Sequence, residues 1–258
     1  MDTTLSFFVF YGFLLVFGLV LGSFYNVVIH RLPREESIVW PGSHCPRCGH
    51  PLALKDNLPL VSFLLLRGAC RYCQASISLR YPLVEGVTGA AAVFFGWRYG
   101  LSWAFLQAFL FFSALLVISF IDLSHQIIPD VISYPGMVVG LFFSWLTGNP
   151  GLVSALIGWV LGGGILWLVA AGYGLLTGKE GMGGGDLKLL AMIGAFLGWP
   201  GVLVTLFSAA LIGSLVGVIL MLVWKKERTY AVPFGPFLSA GAVIHLFFGP
   251  SLIRWYLG

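Results

Sequence analysis

Leu101-Ser102-Trp103-Ala104-Phe105 opens a run that continues to Leu115-Leu116-Val117-Ile118-Ser119-Phe120-Ile121 and ends on Asp122-Leu123-Ser124-His125-Gln126-Ile127-Ile128-Pro129-Asp130. No Asp, Glu, Lys or Arg interrupts 101–121, and about 20 such residues carry an α-helix across the hydrocarbon core of a bilayer. The run is read as a transmembrane helix that delivers a carboxylate at its end. Working outward, comparable apolar runs occupy 5–29, 82–97, 130–147, 152–176, 187–199, 201–224 and 232–249. The predicted fold is an all-α polytopic membrane protein with about eight transmembrane helices and a small cytosolic zinc-binding domain between the first two. The 187–199 run is short and carries glycine, which predicts a broken or partly re-entrant helix, tolerable only where protein or a cavity covers its backbone.

Composition agrees. The chain is 59% hydrophobic and only 9% charged, with mean hydropathy +0.95, whereas a soluble domain carries about a quarter charged residues. The first run could be a secretory signal, but Met1-Asp2-Thr3-Thr4 carries no Lys or Arg and the apolar stretch is too long, so it reads as a retained span. The expected organisation is a first span at 1–29, a cytosolic loop domain at 30–81 and a transmembrane core at 82–258.

Charge sets the orientation. If all eight runs cross, the loops at 30–81, 122–129 and 177–186 and the turn Lys225-Lys226-Glu227-Arg228 share one side. Of the 14 Lys and Arg residues, only Arg98 and Arg254 fall opposite. The positive-inside rule makes the basic side cytosolic and leaves the N-terminus and C-terminus outside. The net charge of +4 is explained by this orientation and by attraction to anionic headgroups of the lipid bilayer, so no nucleic acid partner is expected.

Two features carry chemistry. Cys45-Pro46-Arg47-Cys48 and Cys70-Arg71-Tyr72-Cys73 are two C-x-x-C pairs separated by 21 residues. Four thiolates in this pattern close a tetrahedral zinc site, and a full sulfur set leaves no open position for water, so the metal is expected to be structural. It would also hold together a loop whose core is too small to fold well alone. The second feature is a pair of carboxylates. Asp122 ends an apolar run, where a carboxylate is costly and points to function. Asp186 follows Gly181-Met182-Gly183-Gly184-Gly185, a backbone able to pass close to a neighbour. Pro129 makes Asp130 a helix-entry residue, which favours Asp122 over Asp130 for chemistry.

Asp122 and Asp186 are assigned to the same membrane face, and two aspartates held close cannot both ionise readily. The ionised one can draw a proton from water while its partner hydrogen-bonds a scissile carbonyl, giving peptide hydrolysis without a covalent intermediate or a metal. Glu85, near the start of a span, either contacts a basic substrate segment or pairs with a loop arginine. A transporter would place such acids near the midplane and often shows inverted repeats, neither of which is seen. A scaffold anchored by its spans leaves the aspartate pair unexplained.

These residues resemble the bacterial type IV prepilin peptidase family. The match rests on Gly22-Ser23-Phe24-Tyr25-Asn26-Val27-Val28-Ile29-His30-Arg31-Leu32-Pro33, the four-cysteine loop, Tyr81-Pro82-Leu83-Val84-Glu85, Asp122 through Asp130 and the glycine-rich stretch ending in Asp186-Leu187-Lys188, in that order. The resemblance implies an inner-membrane aspartic endopeptidase with Asp122 and Asp186 as its catalytic pair. It implies cleavage of prepilin and pseudopilin leaders after a glycine on the cytosolic side, then N-methylation of the new N-terminus from S-adenosylmethionine. The partners implied are type IV pilus or type II secretion machinery. No glycine-rich nucleotide fold identifies a methyl-donor pocket.

Overall fold

A computed structural model of the 258-residue chain describes residues 3–178, 183–223 and 232–257, with side chains over 7–178, 183–223 and 232–249. Gly181 and Met182 of the glycine run and the basic turn at 225–228 lie outside the described residues. Those described are helical, with two isolated bridges and no strand. The chain divides into two compact units, Met1–Phe109 and Leu110–Gly258.

The first unit contains α1 (Thr3–Arg31), the short α2 (Val61–Leu65), α3 (Arg80–Tyr99) and the start of α4 (Trp103–His125). Burying apolar side chains supplies no drive between helices in lipid, so association rests on close van der Waals packing, which small residues allow. Glycines make this possible between α1 and α3. A Cβ on Gly18 would lie 2.7 Å from the Thr88 carbonyl, and one on Gly22 would lie 2.7 Å from the Glu85 Cα. Asn26 reinforces the contact by donating from Nδ2 to the Tyr81 carbonyl at 3.1 Å. Below α1, the buried Arg31 guanidinium donates to the carbonyls of Ser37, Pro41 and Gly42 at 2.7–3.1 Å, folding the loop back on the helix that starts it.

The second unit comprises the rest of α4 with α5 (Asp130–Thr147), α6 (Leu152–Thr177), α7 (Gly184–Val223) and α8 (Gly235–Leu257). Its spine is the first limb of α7, where every residue from Leu189 to Gly198 is buried. Glycines again set the approach. Gly158 and Gly162 of α6 lie against Gly194 and Leu190 of α7, and a Cβ on Gly158 would stand 2.5 Å from the Gly194 carbonyl. On the α5 side, a Cβ on Gly140 would meet the Phe196 ring at 2.7 Å, and Ser144 donates to the Ala195 carbonyl at 2.9 Å. Gly241 brings α8 equally close to Thr205.

The expected separate runs at 187–199 and 201–224 belong to one 40-residue helix broken at Gly198. Its φ of 71° suits glycine, and Pro200 follows within the next turn. The limb before the break would rise only about 21 Å, short of the roughly 30 Å hydrocarbon core. Among the described residues, five helices are long and apolar enough to cross a membrane: α1, α4, α5, α6 and α7. α3 over the 82–97 run is helical but less apolar, and the apolar part of α8 described with its side chains is the shorter Gly235–Gly249. Length and composition therefore fit a multi-pass, all-α membrane protein.

Packing separates glycines that look alike in sequence. Gly162 is buried against the Leu190 backbone, whereas a Cβ on Gly164 would meet nothing within 4 Å. Gly162→Ala is expected to destabilise the protein by about 1–3 kcal/mol through overpacking, and Gly164→Ala to change it by less than about 0.5 kcal/mol. Thermal unfolding in one detergent checks this; equal shifts would contradict the α6–α7 contact.

Candidate functional site

The cysteine loop folds as two near-copies of one turn. In the first, Gly49 N–H donates to Cys45 O at 2.9 Å and Cys45 N–H to His50 O at 3.0 Å; in the second, Gln74 N–H donates to Cys70 O at 3.0 Å and Cys70 N–H to Ala75 O at 2.8 Å. Each copy is closed outside by one more bond, Leu52 N–H to Ser43 O and Ile77 N–H to Gly68 O. Gly49 and Gln74, the residues just after each pair, both have left-handed backbones, with φ of 69° and 56°.

These turns bring the four sulfurs within 4.8 Å of one another, with Cys45 and Cys73 3.8 Å apart. A tetrahedron with 2.3 Å metal–sulfur bonds has an edge of about 3.8 Å, so the donor set fits a tetrahedrally bound metal ion. The Cys48 backbone N–H, helped by that of Arg47, pulls the Cys45 thiol well below its usual range against the opposing effect of burial. Thiolate is the ligating form. Arg71, inside the second turn, pairs with Asp56 at 2.7 Å and ties the Leu54–Asp56 turn to it.

The aspartates come from different helices of the second unit. Asp122 lies in the last turn of α4 and is buried. Its Oδ2 accepts the Gly235 N–H at 3.0 Å, from the N-terminus of α8, where unpaired amides and the helix dipole favour a carboxylate. Asp186 lies in the first turn of α7. Ile128 lies beside both neighbouring backbones, 3.0 Å from where a Cβ on Gly185 would stand and 3.4 Å from one on Gly235. Asp186 is within Coulombic reach of Asp122. Asp130, by contrast, is exposed and held by Lys188, with Nζ 2.7 and 2.9 Å from its carboxylate oxygens.

Gly235 is the residue that sequence reasoning missed. A Cβ there would stand 2.6 Å from Asp122 Oδ2, so this carboxylate position requires glycine. The only signal was its place between Phe234 and Pro236 at the head of an apolar run. Among the described residues, Glu85 does not make the loop-arginine pair that was one of its two expected roles. It is buried, and its Oε2 accepts the Leu60 N–H at 2.8 Å.

Residues 16–99 match the model described as Bacterial Peptidase A24 N-terminal domain, and residues 109–218 match the Type IV leader peptidase family. Proteins named prepilin leader peptidase/N-methyltransferase are similar over nearly the whole length. That of Aeromonas salmonicida is 39% identical over 96% of this chain and 94% of its own. That of Pseudomonas aeruginosa is 39% identical over 94% and 92%, and that of Neisseria gonorrhoeae 40% identical over 94% and 93%. No solved structure matches. With the thiol cluster in the segment matched by the N-terminal model and both aspartates in the segment matched by the peptidase model, this chain belongs to the type IV leader peptidase family.

Proposed function

We propose that this chain hydrolyses the leader of prepilins and pseudopilins with Asp122 and Asp186 as a catalytic pair, and then N-methylates the new N-terminus. Membership of the family makes it a peptidase with methyltransferase activity. The observation that carries the residue assignment is the buried Asp122 carboxylate, fixed by the Gly235 amide and within Coulombic reach of Asp186. With Oδ2 held, the second oxygen of Asp122 is left to exchange a proton. One carboxylate of the pair draws a proton from the attacking water while the other, protonated, hydrogen-bonds the scissile carbonyl. Cleavage then needs no acyl-enzyme.

The pair works at the cytosolic face, after a glycine of the leader, in a chain of about eight spans with both termini outside. Residues 30–81 act as the cytosolic module and 82–258 as the proteolytic core. Its partners are the pilin-like substrates of type IV pilus or type II secretion machinery. Zinc in Cys45, Cys48, Cys70 and Cys73 holds the module together, and S-adenosylmethionine supplies the methyl group.

Asp122→Asn and Asp186→Asn should each lower prepilin cleavage by at least about a hundredfold with the protein still folded, whereas Asp130→Asn should keep most activity. Mass spectrometry of a prepilin-like peptide reads this out; near-parental cleavage by either of the first two removes that residue from the mechanism. Gly235→Ala pushes on Asp122 Oδ2 and should cost about a hundredfold in kcat by displacing it, and unchanged turnover would contradict the Gly235–Asp122 bond. Purified protein should hold about one zinc per chain with four sulfur neighbours near 2.3 Å, and nitrogen or oxygen ligands in the X-ray absorption spectrum would refute that set.

A further inference from the structure

The first unit encloses a cavity of about 380 Å³ between the Arg31 end of α1, the cysteine turns and the start of α3. That volume lies in the range of small-molecule sites. Two buried acceptors that line it, Asn26 Oδ1 and Asp56 Oδ2, have no hydrogen-bond partner among the described residues, although Asn26 is 1% exposed and Asp56 7%. Leaving such atoms unpaired costs free energy, so a partner is expected to fill the space. Glu85 adds a buried carboxylate to the lining. Phe63, Tyr72 and Tyr81 add aromatic faces.

We infer that this cavity is the binding pocket for S-adenosylmethionine, an inference that rests on the methyltransferase reading above. When bound, the donor supplies a methyl group on a sulfonium cation. The chain's contribution is recognition. Buried acceptors suit the ammonium and ribose hydroxyl donors of such a ligand, and the Glu85 carboxylate, without a cationic partner of its own among the described residues, suits a cation. Aromatic rings suit both a purine and a cation. Asp56 is kept in place by Arg71 and Glu85 by the Leu60 amide, so both acceptors are oriented in advance. The metal turns border the same space through Cys45 and Cys70.

The test uses the full chain with its metal, in nanodiscs. Radiolabelled S-adenosylmethionine is bound at equilibrium, photo-crosslinked by ultraviolet light and mapped by peptide sequencing, while methylation of a pre-cleaved peptide is measured in parallel. The label is expected within residues 22–85, and Glu85→Gln and Asn26→Leu are expected to weaken donor binding about tenfold or more with zinc content unchanged. If a variant loses zinc, the crosslinked position in the parent protein decides. Label within residues 110–258, or parental affinity in both zinc-loaded variants, overturns the pocket and leaves the methyltransferase reading standing. A parent protein that neither binds the donor nor methylates the peptide sinks that reading, and the pocket with it.

Discussion

The close approach of α7 to its neighbours is the constraint on which the proteolytic half depends. Its first limb is buried along ten consecutive residues, so its backbone must be met by surfaces that leave no gap. Glycines on α5 and α6 meet it ring to backbone or backbone to backbone, and Gly241 of α8 meets the second limb at Thr205. Without them the helices would stand off by a side-chain layer. The break at Gly198 follows from the same packing, since Pro150 and Ser154 occupy the space where a Cβ would go.

The carboxylates are positioned by a related device. Asp122 ends one helix against the first amide of another, and Asp186 begins a third. A buried acid on a helix interior would face only side chains, whereas the start of α8 offers Asp122 an amide that holds its carboxylate in place without neutralising it. The exposed Asp130–Lys188 pair beside them links α5 to α7. Unlike Asp122, Asp130 is exposed and carries its own cation.

Much of this was legible in the sequence because it rests on local pattern. Apolar length marked the helices, C-x-x-C spacing marked the sulfur cluster, and an acid after an apolar run marked Asp122 as a buried carboxylate. What stayed hidden depends on residues that meet only in the fold. Nothing local distinguishes Gly162 from Gly164, or shows that Gly235 is there to clear Asp122. A carboxylate bound to a backbone amide, as Glu85 is, leaves no trace in charge pairing, and the unpaired oxygens of Asn26 and Asp56 are visible only once the cavity closes around them. The break in α7 was half visible: glycine and proline near 198–200 divide the apolar run, but the continuity of the helix on either side follows from tertiary burial.

If Asp122 and Asp186 act as one unit, a double-mutant cycle on cleavage will show it, because residues of one catalytic unit are strongly non-additive. The protein carrying both Asp122→Asn and Asp186→Asn should then cleave a prepilin-like peptide no more slowly than either single variant. Losses that multiply in the double variant would mean two independent contributions, and would contradict the pair.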